Sequence, residues 1–113
     1  MRALAGDWRK ILPFGPFDLL FADGGPKLKG SPDGKKSIIK EEEVDAVLAA
    51  LRPGGLLVLD DLTPERDWPP EWRGRPDPTR RFWLNDLRVY ATELLVNPAG
   101  GRASGVILIS RIE

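Results

Sequence analysis

Twelve residues near the middle of the chain, Leu51-Arg-Pro-Gly-Gly-Leu-Leu-Val-Leu-Asp-Asp-Leu62, restrict the fold more than any other stretch. A Pro-Gly-Gly break leads into an apolar run that two adjacent aspartates close. A short continuous apolar run bounded by turn residues predicts a strand over 55–60 that is buried on both faces, as in a parallel sheet. Ligands of open α/β sheets collect beyond the carboxyl ends of such strands. Asp60 and Asp61 are therefore candidates for contact with a metal, cofactor or substrate.

The preceding residues supply partners for that strand. Phe17-Asp-Leu-Leu-Phe-Ala-Asp23 is apolar and aromatic, stops at Gly24-Gly25-Pro26, and predicts a strand over 17–23 that also finishes in an acid. Gly, Pro, Lys and Ser without periodicity make Lys27 to Lys36 a loop. A helix is expected over about 38–51, capped by Ser37, with Val44, Val47, Leu48 and Leu51 as its buried stripe and Gly54 or Gly55 as its C-terminal cap. Its early acids, Glu41 to Glu43 and Asp45, suit the positive end of the helix dipole. Strand, helix, strand is a βαβ unit, so the two aspartate-tipped strands should run parallel with a right-handed crossover. Upstream, Leu4, Trp8, Ile11 and Leu12 have helical spacing, although Gly6-Asp7 equally allows a short strand and turn. Pro13 to Pro16 reads as a loop.

From Thr63 to Pro78 the chain holds five prolines together with Trp68 and Trp72, and reads as an ordered loop or lid beside the acidic tips. Asp77-Pro78 is a cap followed by a proline at the first helical position, predicting a helix over about 78–90 with Trp83, Leu87, Tyr90, Ala91 and Leu94 facing inward. Strands over 92–97 and 104–110 should then form an antiparallel hairpin. The fold class is α/β: a Rossmann-like partial sheet with helices packed on it and one open side, in one domain spanning 1–113. Packing is the plainer role for Trp68, Trp72 and Trp83.

Composition narrows the chemistry. The 113 residues include no cysteine and no histidine, which removes disulfides, thiolate catalysis, Ser-His-Asp devices and nearly all zinc sites. Any bound metal must be held by oxygen, which selects a hard ion such as Mg2+, Ca2+ or Mn2+. Seventeen basic residues balance seventeen acidic ones, so no overall field draws the chain to nucleic acid. Lys27, Lys29, Lys35, Lys36 and Lys40 lie beside Glu41 to Glu43 and read as a solvated loop and helix start. No apolar run reaches the roughly 20 residues of a membrane span and no signal peptide is visible, so a cytoplasmic location is expected.

Taken in order, Gly6-Asp7-Trp8, Phe17 to Asp23, Leu51-Arg-Pro-Gly-Gly-Leu-Leu-Val-Leu-Asp-Asp61, the late helix and the hairpin resemble the C-terminal half of class I S-adenosylmethionine-dependent methyltransferases, in particular the catechol O-methyltransferase-like group. The resemblance implies methyl transfer to a hydroxyl of a small molecule. It implies that Asp7 and Trp8 lie near the adenine ring, that Asp23 borders the cofactor, and that Asp23, Asp60 and Asp61 hold a divalent cation such as Mg2+. Asp61 stands where the family has asparagine. The family's lysine base would fall at Pro26, and Lys27 follows one residue later as the candidate base. Independently of the family, three carboxylates at neighbouring strand tips repel one another unless a hard cation sits among them.

The Gly-x-Gly turn that cradles the methionine end of the cofactor does not occur: Gly24-Gly25, Gly54-Gly55 and Gly100-Gly101 lie in other contexts. The chain therefore reads as half of a methyltransferase domain, either a shortened form or a relic. Strand 17–23 becomes a bare apolar edge, and a homodimer through that edge is expected. A non-catalytic dimeric module acting through protein contacts is the alternative. A receiver-type phosphoryl-transfer domain clustering the same aspartates around Mg2+ fits less well, because its acidic pair ends its first strand. Capping of local turns by these aspartates is the simplest alternative of all.

Overall fold

The computed structural model describes residues 8–23, 27–28, 32, 38–39, 41–97 and 101–113, and of Trp8, Asp23, Lys27, Ile38, Ile39, Glu41, Glu42 and Asp61 the backbone alone. A 3-10 helix, Trp8–Phe14, leads into strand β1, Phe17–Asp23; β2, Lys27–Leu28, and β3, Ile38–Ile39, follow. Helix α1, Glu41–Ala49, then precedes the long strand β4, Leu51–Leu62. Two 3-10 turns, Glu65–Asp67 and Pro70–Trp72, lead to helix α2, Pro78–Trp83, and to β5, Val89–Val96, and β6, Ser104–Arg111. The main sheet has four strands in the order β1-β4-β6-β5, and β2 and β3 form a separate parallel pair.

β1 and β4 are parallel, as the βαβ pattern predicts, and β6 is antiparallel to both β4 and β5. Side chains alternate across the sheet. Leu57 and Leu59 of β4 are buried, as are their register partners Ile109 and Ile107 of β6. α1 adds Val44, Val47 and Leu48, and α2 adds Trp83, to the same side. On the other side, register links Leu19, Leu56, Ser110 and Tyr90 in one row and Phe21, Val58, Leu108 and Thr92 in the next. That face is open: Leu19 is 58%, Phe21 64% and Tyr90 74% exposed. The expectation that strand 55–60 is buried on both faces is thus overturned. Both helices pack on one side, and the second face carries no helix among the described residues.

β4 is also longer than the predicted strand, starting at Leu51 rather than at 55. Phe17 pairs with Leu51 and Leu19 with Leu56, so Arg52 to Gly55 protrude as an irregularity while pairing resumes beyond them. Gly54, at φ +79°, makes that excursion possible, since a Cβ is strained there. Neither Gly54 nor Gly55 caps α1, because the helix already stops at Ala49; its Leu51 is buried, but in the strand. The Ala50 carbonyl instead accepts from Phe17 N at 2.6 Å, tying the helix end to the start of β1. The predicted helix start is likewise corrected: Ile38 and Ile39 pair with Lys27 and Leu28, so residues 38–39 and 27–28 are extended. Ser37, Leu4 and Gly6 lie outside the described residues.

The largest correction concerns the helix over 78–90, which ends at Trp83. Trp83 is buried as expected, but Leu87 is 94% exposed and Tyr90, Ala91 and Leu94 belong to β5. Asp86 ends the helical path: its carboxylate accepts from Arg88 N at 2.8 Å and from the Arg88 guanidinium at 3.0 and 2.8 Å. The Arg88 carbonyl then accepts from Ile112 N at 2.9 Å, and β5 pairs with β6 from Val89 to Val96. β-Branched and aromatic residues in Val89-Tyr-Ala-Thr favour this ladder over another helical turn. The hairpin 92–97/104–110 is present, extended to Val89 and Arg111.

The single-sided core makes Leu59 a sensitive position and Leu87 an indifferent one. Leu59→Ala should lower unfolding free energy by about 3 kcal/mol and Leu87→Ala by under about 0.5 kcal/mol in urea titrations. The hydrogen bonds from Arg88 hold the Asp86 carboxyl below the ordinary carboxylate range. A carboxylate whose folded pKa is depressed stabilises above its unfolded value, about pH 4, and loses that contribution as pH falls through the folded value. Asp86→Asn should remove this part of the acid sensitivity below about pH 4, seen as a flatter dependence of the urea midpoint on pH.

Candidate functional site

β1 and β4 deliver their terminal acids to one place. Asp23 is the last residue of β1, and in the parallel register its partner is Asp60. Asp61 follows directly in β4. Beyond Leu59 the pairing of β4 with β6 shifts, so that Leu59 opposes Ile107 and Leu62 opposes Gly105. Leu59 and Leu62 are three positions apart yet both fully buried, which strict alternation forbids and a bulge at Asp60-Asp61 allows. The bulge lets two successive acids interrupt an apolar strand without turning Leu62 out of the core. Asp60 is half-buried, and its side chain makes no hydrogen bond or ion pair among the described residues.

The other candidates from sequence stand as follows. Lys27 opens β2, whose Leu28 is tied to α2 by its N–H donating to Thr79 Oγ1 at 2.9 Å. Trp8 begins the first 3-10 helix. Asp7 lies outside the described residues, as do the side chains of Trp8, Asp23, Lys27 and Asp61. Among the described residues no group of three or more His, Cys, Asp or Glu is arranged to hold a metal ion. No helix among them is long and apolar enough to cross a membrane.

Just past the acidic tip, the proline-rich segment folds into its two 3-10 turns and walls a cleft of about 440 Å³, lined by Leu62, Thr63, Asp67, Trp72, Arg102 and neighbouring residues. The segment is anchored by Trp68, 4% exposed, whose indole N–H donates to the Thr63 carbonyl at 3.0 Å. Trp72 meets Trp68 edge to face at 6.3 Å and is left half-buried. The expectation of an ordered loop with packing tryptophans holds for Trp68 and Trp83. Trp83 is fully buried, and its indole N–H has no partner among the described residues.

The residue that organises this end, Arg80, was not singled out from sequence. It is 9% exposed, donates to Glu93 Oε1 at 2.8 Å and to the Thr63 carbonyl at 2.8 Å, pairs with Asp77, and lies 5.8 Å from the Trp68 ring. Burial alone would lower its pKa; the hydrogen bonds with Glu93 and Asp77 outweigh burial and hold it above its ordinary value. Arg80 therefore joins α2, β5, the proline-rich segment and the end of β4 through one permanent charge. Gly105 is the strand position that admits it, since a Cβ there would lie 3.0 Å from Glu93 Oε2 and 3.3 Å from the guanidinium. Asp77, read from sequence as a helix cap, does cap α2 by accepting from Arg80 N at 3.3 Å. The visible signal for the cluster was Asp77 three residues before Arg80; only the register of β5 adds Glu93.

Comparison with protein-family models returned no match, and comparison with curated proteins returned none either.

Removing a partner from a buried charge cluster leaves the remaining charges uncompensated. Arg80→Met should cost about 3 kcal/mol and should shift Trp68 emission to the red in the native state, measured by urea titration and fluorescence.

Proposed function

We propose that this chain carries the acceptor side of an S-adenosylmethionine-dependent O-methyltransferase-like site on a Rossmann-like half-sheet. In this reading Asp23, Asp60 and Asp61 hold a hard divalent cation such as Mg2+, Lys27 serves as the base, and the neighbouring cleft takes a small hydroxylated molecule. The observation that carries the reading is the Asp23–Asp60 register at the carboxyl ends of two parallel strands, with Asp61 adjoining in the bulge. Ligand sites of open α/β sheets lie at such ends.

The donor chemistry suits a hard cation, because carboxylate oxygens are what Mg2+ prefers and a cation offsets the repulsion of acids at adjacent tips. A bound ion of this kind would lower the pKa of a coordinated hydroxyl and orient it toward a methyl donor. The protein's own part is to fix the acids by the ladder and bulge, and to wall the acceptor with Trp72 and Pro69. S-adenosylmethionine is a poorer match for these residues. No Gly-x-Gly turn follows a strand in the chain, so its methionine end lacks a cradle here and no step of transfer is derived. A second reading, a dimeric module without catalysis, is favoured by the exposed apolar side chains of β1.

Calorimetric titration tests the first reading. Mg2+ should bind with a dissociation constant on the order of 1 mM or tighter, and Asp60→Asn should weaken it at least roughly tenfold while Asp45→Asn, on α1 and outside the cleft, leaves it unchanged. S-adenosylmethionine should bind weakly, also on the order of 1 mM, and more tightly with Mg2+ present. No heat with either ligand at ten times these concentrations would reduce the likeness to fold alone.

A further inference from the structure

We infer that two copies of this chain pair through β1, antiparallel about a two-fold axis at Leu20, joining two four-stranded sheets into one. The inference does not depend on the proposed activity. β1 is an edge strand: β4 lies on one side of it, and no strand among the described residues lies on the other. Edge strands of proteins that stay monomeric are usually protected by an inward charge, a lysine, a proline or a bulge. Within Phe17–Asp23 there is no lysine, arginine or proline, and the acids stand at Asp18 and Asp23, toward the ends. Between them, Leu19 is 58% and Phe21 64% exposed.

The sequence of β1 is complementary to itself in one register. With Leu20 on the axis, all seven residues pair, and each Leu19 lies opposite the second copy's Phe21. The axis stands perpendicular to the sheet, so both pairs fall on the same open face and extend its rows of Leu56 and Val58. Cross-strand aromatic–aliphatic pairs of this kind stabilise a sheet. The same register sets Asp18 opposite Ala22 and Asp23 opposite Phe17, so no acid meets an acid. Asp18 keeps its exposed ion pair with Arg52, at 3.4 Å, at the rim.

The opposite edge, β5, suits a two-fold less well. Its middle is Thr92-Glu93, which would put Glu93 at or next to its own copy, and Glu93 is already engaged by Arg80.

Sedimentation equilibrium of the 113-residue protein, with three variants, tests this. The wild type should have twice the 12.5 kDa chain mass at micromolar concentration. Phe21→Lys should halve the mass with unchanged far-ultraviolet circular dichroism, because the side chain is already exposed. Leu94→Lys, on β5, should remain dimeric. The chain has no cysteine, so Leu20→Cys introduces a single thiol, and mild oxidation should link it to its copy across the axis. A monomeric wild type would overturn the inference. So would a dimer that Leu94→Lys dissociates and Phe21→Lys does not, or a dimer in which folded Leu20→Cys stays unlinked.

Discussion

The structure rests on the burial of one face of β4. This strand pairs in parallel with β1 and antiparallel with β6, and its Leu51, Leu57, Leu59 and Leu62 are at most 1% exposed. α1 and Trp83 lie against those side chains, and β6 repeats the pattern with Ile107 and Ile109. Each fully buried leucine contributes on the order of 2 kcal/mol by removing apolar surface from water. Among the described residues the sheet has one core layer, so no second layer compensates for such a loss. The bulge at Asp60-Asp61 serves that burial, returning Leu62 to the core three positions after Leu59. The acids therefore sit where they do because of how the apolar residues must face.

The bulge also explains why the same end of the sheet collects charge. Strand alternation breaks at Asp60-Asp61, the chain leaves the sheet at Thr63, and the Thr63 carbonyl needs a donor. Arg80 supplies it from α2 and is itself balanced by Asp77 and Glu93. One guanidinium between two carboxylates leaves this cluster about one negative charge.

Much of the sheet could be read from sequence because its signals are local. Phe17 to Asp23 and the late hairpin show strand-forming residues bounded by Gly, Pro and Asn, and their register follows from alternation. Periodicity was weaker over 78–94: Trp83, Leu87, Tyr90, Ala91 and Leu94 have helical spacing, yet the Asp86–Arg88 turn and the β6 ladder divide them between helix and strand. Leu87 thus looked like core and is nearly bare. Burial on both faces was inferred from an apolar run, but the run speaks only of what its side chains prefer, not of which layers the chain can supply. The Asp23–Asp60 adjacency was legible because it needs only two parallel strands whose apolar runs end in register. Arg80 was not, because its partners come from segments 13 and 17 residues away.

The two features that remain unsatisfied in a single copy meet on one strand. β1 ends at Asp23, next to Asp60, and presents Leu19 and Phe21 to solvent along the way. Pairing about Leu20 would set each Asp23 beside the start of the other copy's strand, at Phe17. The acidic tip would then adjoin the second copy on that side. Lower solvent access strengthens both the repulsion among carboxylates and their attraction to a cation. The proposed association through the edge and the proposed cation binding at the tips would therefore act on the same few residues. A charge at position 21 would act on the first directly and on the second only through the loss of that shelter.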